Sequence, residues 1–227
     1  MNNTVILIPA RYNSTRFPGK PLCMLDGVPM IKRVYDACIA SKIPTYVLTD
    51  DKRIAKLIGP RCLLDDEEYA NGTERCSGAI SKFHILNDFN QFINIQGDMP
   101  DVTTQMIEQC VEWLQYYPIS TVWTDMPEAM QNDPNSVKMV RAGDNALWFG
   151  RGMTGYGHWH LGAYGYRRDA LELYRDLEVT QEEEIEQLEQ LRWLKNGWQI
   201  GCSSVYFNGV EINSPEDVEV WQKQNSH

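Results

Sequence analysis

Three cations stand close together near the amino terminus: Arg11, Arg16 and Lys20, within Ile8-Pro9-Ala10-Arg11-Tyr12-Asn13-Ser14-Thr15-Arg16-Phe17-Pro18-Gly19-Lys20-Pro21-Leu22. Three prolines and a glycine constrain the loop that carries them. Arg forks and Lys ammonium groups both bind phosphate oxygens, so the set suits a polyanion such as a triphosphate. Charge alone leaves a solvated basic loop as an equal reading. No Walker loop is present, because Gly19-Lys20 is followed by Pro21 and lacks the upstream glycine. Nor is there a dinucleotide Gly-x-Gly-x-x-Gly.

A second candidate is Gln96-Gly97-Asp98, which follows the apolar run Phe92 to Ile95. A carboxylate at the end of a strand can hold Mg²⁺, which takes oxygen ligands and keeps waters and substrate phosphates. The alternative is an aspartate capping the helix that begins near Thr103. His158 and His160 are two apart and share a strand face, but no third ligand stands near them in the sequence. Six scattered cysteines without a Cys-x-x-Cys pair read as reduced, mostly buried thiols rather than zinc or redox sites.

The elements that must position these residues alternate. Val5 to Ile8 reads as a buried strand, Pro29 to Ala40 as a helix, and Tyr46 to Thr49 as a strand ending where Asp50 can cap the next helix. Lys52 to Ile58, Arg61 to Leu64 and Asn71 to Leu86 continue the alternation, with Asp65 to Glu68 as a solvated loop. The spacing predicts an α/β fold: a doubly wound, mostly parallel, Rossmann-like sheet whose first loop lies at the carboxyl end of its first strand, where such sheets put ligands. From Asp133 to Tyr166 the pattern changes to short strands with glycine-rich connections, which predicts a smaller mixed β layer. Glu182 to Lys195 reads as one helix with Ile185, Leu188 and Leu191 on its core side. A single domain over residues 1–227 is expected.

With 31 acidic and 21 basic residues the formal charge is −10. That argues against a nucleic-acid partner, since phosphate backbones reward a basic face. No apolar run is long enough to span a bilayer and no signal peptide precedes the first strand, so no membrane partner and a cytoplasmic setting are expected. An acidic chain that binds a polyanion must concentrate its cations in a cleft; Arg75, Lys138 and Arg151 could join the first loop there.

Further blocks follow in order: Asn71-Gly72-Thr73-Glu74-Arg75, Asn94-Ile95-Gln96-Gly97-Asp98, Asn135-Ser136-Val137-Lys138, His160-Leu161-Gly162-Ala163-Tyr164-Gly165-Tyr166, Leu188-Glu189-Gln190-Leu191-Arg192 and Ser214-Pro215-Glu216-Asp217. In this ordered set nearly the whole chain resembles the 3-deoxy-manno-octulosonate cytidylyltransferases (CMP-Kdo synthetases), a family of sugar nucleotidyltransferases. The resemblance implies that the anomeric hydroxyl of an acidic 2-keto-3-deoxy sugar attacks the α-phosphorus of CTP and expels pyrophosphate. It implies phosphate contacts from Arg11, Arg16 and Lys20, with Mg²⁺ at Asp98 and at Asn213, where the family has an Asp. Gly72, Thr73 and Arg75 are expected near the nucleotide, and Lys138 among the substrate-binding residues. Gln96, Arg151, His160, Tyr164, Glu189 and Gln190 are expected on the sugar, with Arg151 facing its carboxylate. For Thr73 alone a helix-start role is the stronger reading, and for His160 a packed strand stands as an even alternative. A homodimer is expected, with residues 133–166 on the dimer or sugar side. The chain departs from the family at Met99, where the family has Glu, and in a shortened loop over 150–159.

Overall fold

The computed structural model describes residues 3–13 and 17–225; Arg16, expected on the phosphates, lies outside the described residues. In chain order the elements are β1 (Thr4–Pro9), β2 (Met24–Leu25), β3 (Val28–Pro29), α1 (Met30–Ile39), β4 (Thr45–Thr49), α2 (Lys52–Ile58), β5 (Cys62–Leu64), α3 (Gly72–Lys82) and β6 (Gln91–Asn94). Then come α4 (Thr104–Trp113), β7 (Ile119–Thr124), β8 (Lys138–Ala142), β9 (Asn145–Gly150), β10 (His158–Arg167), α5 (Arg168–Leu173), α6 (Gln181–Glu186), α7 (Gln190–Lys195), β11 (Ile200–Ser204) and α8 (Pro215–Asn225).

β1 sits inside the sheet and is buried along its length. Its side chains alternate, as a strand requires: Val5 and Leu7 join one apolar core, Ile6 and Ile8 the other. Residues Ile31, Val34, Met106 and Ile107 of α1 and α4 fill the core on one face. Cys76, Ala79, Ala170 and Trp193 of α3, α5 and α7 fill the other. The Trp193 ring lies 4.9 Å from Tyr174 and 5.3 Å from Trp198. Burying aromatic rings of this size makes that core the larger apolar mass.

The expectation of a doubly wound parallel sheet holds for β5-β4-β1-β6, which are parallel throughout. Beyond β6 it is corrected. A single nine-stranded sheet runs β5-β4-β1-β6-β10-β7-β11-β9-β8, and β10 lies antiparallel to both β6 and β7. β8 and β9 do not form a separate smaller layer. β9 pairs with β11, and β8 pairs with the start of β10, so β10, β7, β11, β9 and β8 close into a ring. The reason is the length of β10: its carboxyl half serves β6 while its amino half reaches β8.

Local differences have equally local causes. Asp51, not Asp50, caps α2, accepting from the backbone N–H groups of Arg53 and Ile54. Asp65 is not solvated; it is buried, accepting from the Tyr69 hydroxyl at 2.7 Å and from Lys82. The expected Glu182–Lys195 helix is two helices, broken where Gln187 takes φ 54° in the left-handed region. That turn leaves Ile185 70% exposed while Leu188 and Leu191 stay buried. All six cysteines are free, four of them buried.

Candidate functional site

A cleft of about 860 Å³ opens where the loops after β1 and β6 meet the start of α3. β1 and β6 are parallel, so their carboxyl ends deliver Arg11 and Lys20, and Gln96 and Asp98, to one place. Gly97 allows that approach, because a Cβ there would stand 3.0 Å from the Pro9 carbonyl oxygen.

The base of the cleft is an ionic knot. Lys20 Nζ donates to Asp98 Oδ2 at 2.6 Å and to the Ile212 carbonyl at 3.1 Å. Ile212 N–H in turn donates to the Asp98 carbonyl at 3.2 Å. Asp98 is not the helix cap: Thr103 Oγ1 accepts from Met106 N–H and caps α4 itself. Glu211 and Asn213, on either side of Ile212, both line the cleft. Burial, and then the neighbouring Asp98, push the Glu211 carboxyl up to about 8.

The second wall comes from α3. Asn71 Oδ1 accepts from Glu74 N–H and starts the helix, so Thr73 is not the cap. Arg75 is buried, with Nη2 3.3 Å from Asp50 Oδ2 and its guanidinium 5.1 Å from the Tyr69 ring centroid. Its Nη1 is buried and has no hydrogen-bond partner among the described residues. An unsatisfied buried donor costs about 1–3 kcal/mol, which an acceptor arriving in the cleft would recover.

β10, α6 and α7 form the third wall. The β10 register shifts between His160 and Tyr164, so four residues span two of β7 and both side chains face the cleft. Gly162, at φ +63°, makes the bulge. Thr121 Oγ1 lies 2.7 Å from the Ala163 carbonyl and 2.9 Å from His160 Nε2. The carbonyl can only accept, so the Thr121 proton goes there and His160 Nε2 donates, which fixes a neutral tautomer. Burial, aided by the Arg151 charge, holds the His160 pKa down to about 3. Glu189 Oε2 accepts from Thr73 N–H at 3.2 Å and Oε1 from Gln96 Nε2 at 3.3 Å, while burial raises its pKa. Arg151 donates to the Glu186 and Asn135 carbonyls, at 3.2 and 2.7 Å. Gln190 is buried, with Nε2 unpartnered among the described residues.

Of the residues expected from the sequence, Arg11, Lys20, Gly72, Arg75, Gln96, Asp98, Arg151, His160, Tyr164, Glu189, Gln190 and Asn213 all line this cleft. Two described ones do not. Lys138 is fully buried behind the wall, and its ammonium donates to the carbonyls of Asp133, Ser136 and Arg151. It holds the loop that carries Arg151. Thr73 is buried, with its hydroxyl 2.9 Å from that of Tyr166 and its backbone N–H on Glu189. Sequence reasoning missed Glu211, Asp50 and the buried Arg192, whose guanidinium bridges Glu183 at 2.7 Å and Glu74 at 2.9 Å on the cleft edge. Glutamates in an acidic helix carry no sign of which one turns inward. Met99 is buried in the core beside the cleft, so an apolar side chain suits its position.

Among the described residues no group of three His, Cys, Asp or Glu is assembled as a ready metal cage. The donors at the base of the cleft are nevertheless oxygens, from Asp98, Glu211 and Asn213, and Lys20 shows that a cation is accommodated against Asp98. That donor set fits Mg²⁺ completed by phosphate oxygens and water.

The mixed sheet and its cleft define the nucleotidyltransferase fold. A solved CMP:2-keto-3-deoxy-manno-octonic acid synthetase complexed with CTP superposes with TM-score 0.89 and 30% identity over 99% of each chain. The 4-diphosphocytidyl-2C-methyl-D-erythritol synthase of Anaerococcus prevotii, at 10% identity and TM-score 0.67 over 100% of this chain and 99% of that one, shares the fold alone. Residues 5–200 match the family model described as Cytidylyltransferase, and the chain belongs to that family. The 8-amino-3,8-dideoxy-manno-octulosonate cytidylyltransferases of Shewanella halifaxensis and Shewanella loihica are 37% and 36% identical to it, each over 96% of both chains.

Proposed function

We propose that this chain transfers the cytidylyl group of CTP to the anomeric hydroxyl of an acidic octulosonate sugar, giving a CMP-sugar and pyrophosphate. The observation that carries the reading is the junction of Lys20 with Asp98 at the carboxyl ends of β1 and β6, in a chain that matches such enzymes over its full length.

The sugar oxygen forms a bond to the α-phosphorus as the bond to the bridging oxygen of pyrophosphate breaks. Such a displacement depends on alignment and charge neutralisation more than on a protein nucleophile. Arg11 and Lys20, with Arg16 from the same loop, would neutralise the triphosphate. Arg75 Nη1, buried and without a partner among the described residues, would donate to the nucleotide. Arg151 would face the sugar carboxylate, while Gln96, Glu189 and Gln190 would take its hydroxyls. His160, neutral with Nε2 committed to Thr121, would offer Nδ1 as an acceptor rather than a charge. Asp98 would hold Mg²⁺, which supplies a Lewis acid at the phosphates. A homodimer with residues 133–166 at the interface or on the sugar side is part of this reading.

A second substrate within the same reading is the 8-amino sugar. The sugar-side wall carries Glu183, Glu184, Glu186 and Glu189, and carboxylates suit an ammonium group. Pyrophosphate release should be measured with CTP, UTP, ATP and GTP, each against Kdo and its 8-amino analogue. CTP with one of these sugars should exceed every purine nucleotide, and equal rates across nucleotides would remove the reading. The faster of the two sugars identifies the substrate.

A further inference from the structure

Asn213 brings only a neutral side-chain oxygen to the base of the cleft, and Glu211 lines the cleft two residues before it. Residues 210–213 are clamped at both ends. Val210 N–H donates to Asp101 Oδ2 at 2.9 Å, and the N–H groups of Asn213 and Ser214 both donate to Asp217 Oδ2 at 2.8 Å. Ile212 is fully buried against Leu25, Met30 and Trp221, so its side chain anchors the segment on the side away from the cleft. Glu211 and Asn213 are both turned into the cleft. Two contacts tie the segment to Asp98: Ile212 N–H to the Asp98 carbonyl, and Lys20 joining the Ile212 carbonyl to the Asp98 carboxylate.

The other nearby carboxylates are committed elsewhere. Asp217 is spent on the backbone before α8. Asp101 holds Val210 N–H and Trp221 Nε1. Glu189, on another wall, accepts from Thr73 and Gln96. Glu211 is different: among the described residues no hydrogen bond is made to its carboxylate, and the charged groups that act on it are Asp98, Arg151, Lys20 and Asp217. Glu211 and Asp98 both line the base of the cleft, and two carboxylates there repel in a site of reduced dielectric. A divalent cation between them turns that repulsion into attraction.

We propose that Glu211 is the second carboxylate ligand of the divalent metal, opposite Asp98, and that Asn213 contributes at most a neutral oxygen. The inference rests on the cytidylyltransferase reading above, because it needs a nucleotide to complete the coordination.

Mn²⁺ serves as the probe, its binding to the CTP complex read by electron paramagnetic resonance, with CTP affinity measured separately without metal. Glu211→Gln should weaken Mn²⁺ binding about tenfold or more, while Asn213→Ala weakens it no more than about threefold. Glu211→Gln combined with Asn213→Asp should recover binding to within about threefold of the starting protein, because the charge returns by a neighbouring route. Glu211→Asp, with the same charge on a shorter stem, should fall between. Metal-free CTP affinity and thermal midpoint should not fall in Glu211→Gln, since the amide repels neither the triphosphate nor Asp98. The inference fails if Glu211→Gln leaves Mn²⁺ affinity unmoved while the protein binds CTP and Mn²⁺ normally, or if Asn213→Ala loses as much as Asp98→Asn. A protein that binds no CTP at all overturns the functional reading, and this inference with it.

Discussion

Lys20 Nζ and Asp98 Oδ2 lie 2.6 Å apart across 78 residues of sequence. The contact joins the last cation of the loop after β1 to the carboxylate after β6. It sets a cation and a carboxylate side by side at the base of the cleft, and each partner can be removed separately.

Lys20→Met should lower kcat/KM for CTP about 100-fold, the scale of losing one preorganised charge at a reacting phosphate. Stability should change by less than about 1 kcal/mol, because a partly exposed pair contributes little. Parallel pyrophosphate-release and melting measurements check this; a large fall in melting temperature with activity retained would assign the pair to the scaffold.

Asp98→Asn should abolish most turnover and leave the fold in place. The helix that follows is started by Thr103, so a carboxamide at 98 removes no cap. Circular dichroism beside the Mg²⁺ dependence of the rate separates the two effects. An early-melting, inactive protein would contradict it.

The pH dependence of stability tests His160. Its folded pKa, about 3, is below the ordinary 6.5, so between these values the unfolded chain binds the extra proton. Stability rises with pH across that window and is lost as the solution is acidified, by about 1.4 kcal/mol per pH unit from this group. His160→Gln should flatten the acid limb of unfolding free energy by that slope. An unchanged slope would mean that the imidazole is not held neutral.

Arg192→Met should be the most damaging of these changes to the fold. It leaves Glu183 and Glu74 facing each other at the cleft edge without their shared partner. Removing one member of a buried ion cluster costs about 3 kcal/mol, a fall of about 6–12 °C in melting temperature for a chain of this size. Glu183→Gln in the same background should restore part of the loss, measured by calorimetry.

The parallel half of the sheet was legible because Val5 to Ile8, Tyr46 to Thr49 and Phe92 to Ile95 are short apolar runs separated by helical periods. Arg11, Lys20 and Asp98 were legible for the same reason, since they stand in the loops that follow those strands. The rest was hidden by contacts distant in sequence. Nothing in His158 to Arg167 tells that one strand serves three neighbours, and Gln187 carries no glycine to announce a break in a helix. Lys138 reads as a further cation for the cleft, yet the loop before its strand gives the cleft Asn135 and Val137, while the buried ammonium is taken up by the carbonyls of Asp133, Ser136 and Arg151. Glu211 drew no notice, since its role depends on Asp98 and Lys20 rather than on any neighbour in the chain.

The reach of β10 also governs the order in which the chain can be completed. β6 follows β1 within the first half of synthesis, but among the described residues its outer edge is covered by β10 alone and waits for a partner until Arg167 has been made. Until then a growing chain presents an open strand edge bearing Phe92 and Ile93. Such an edge invites pairing with another chain. A ribosome that pauses between β6 and β10 would hold that edge open, so the yield of folded protein should be most sensitive to translation speed over that stretch.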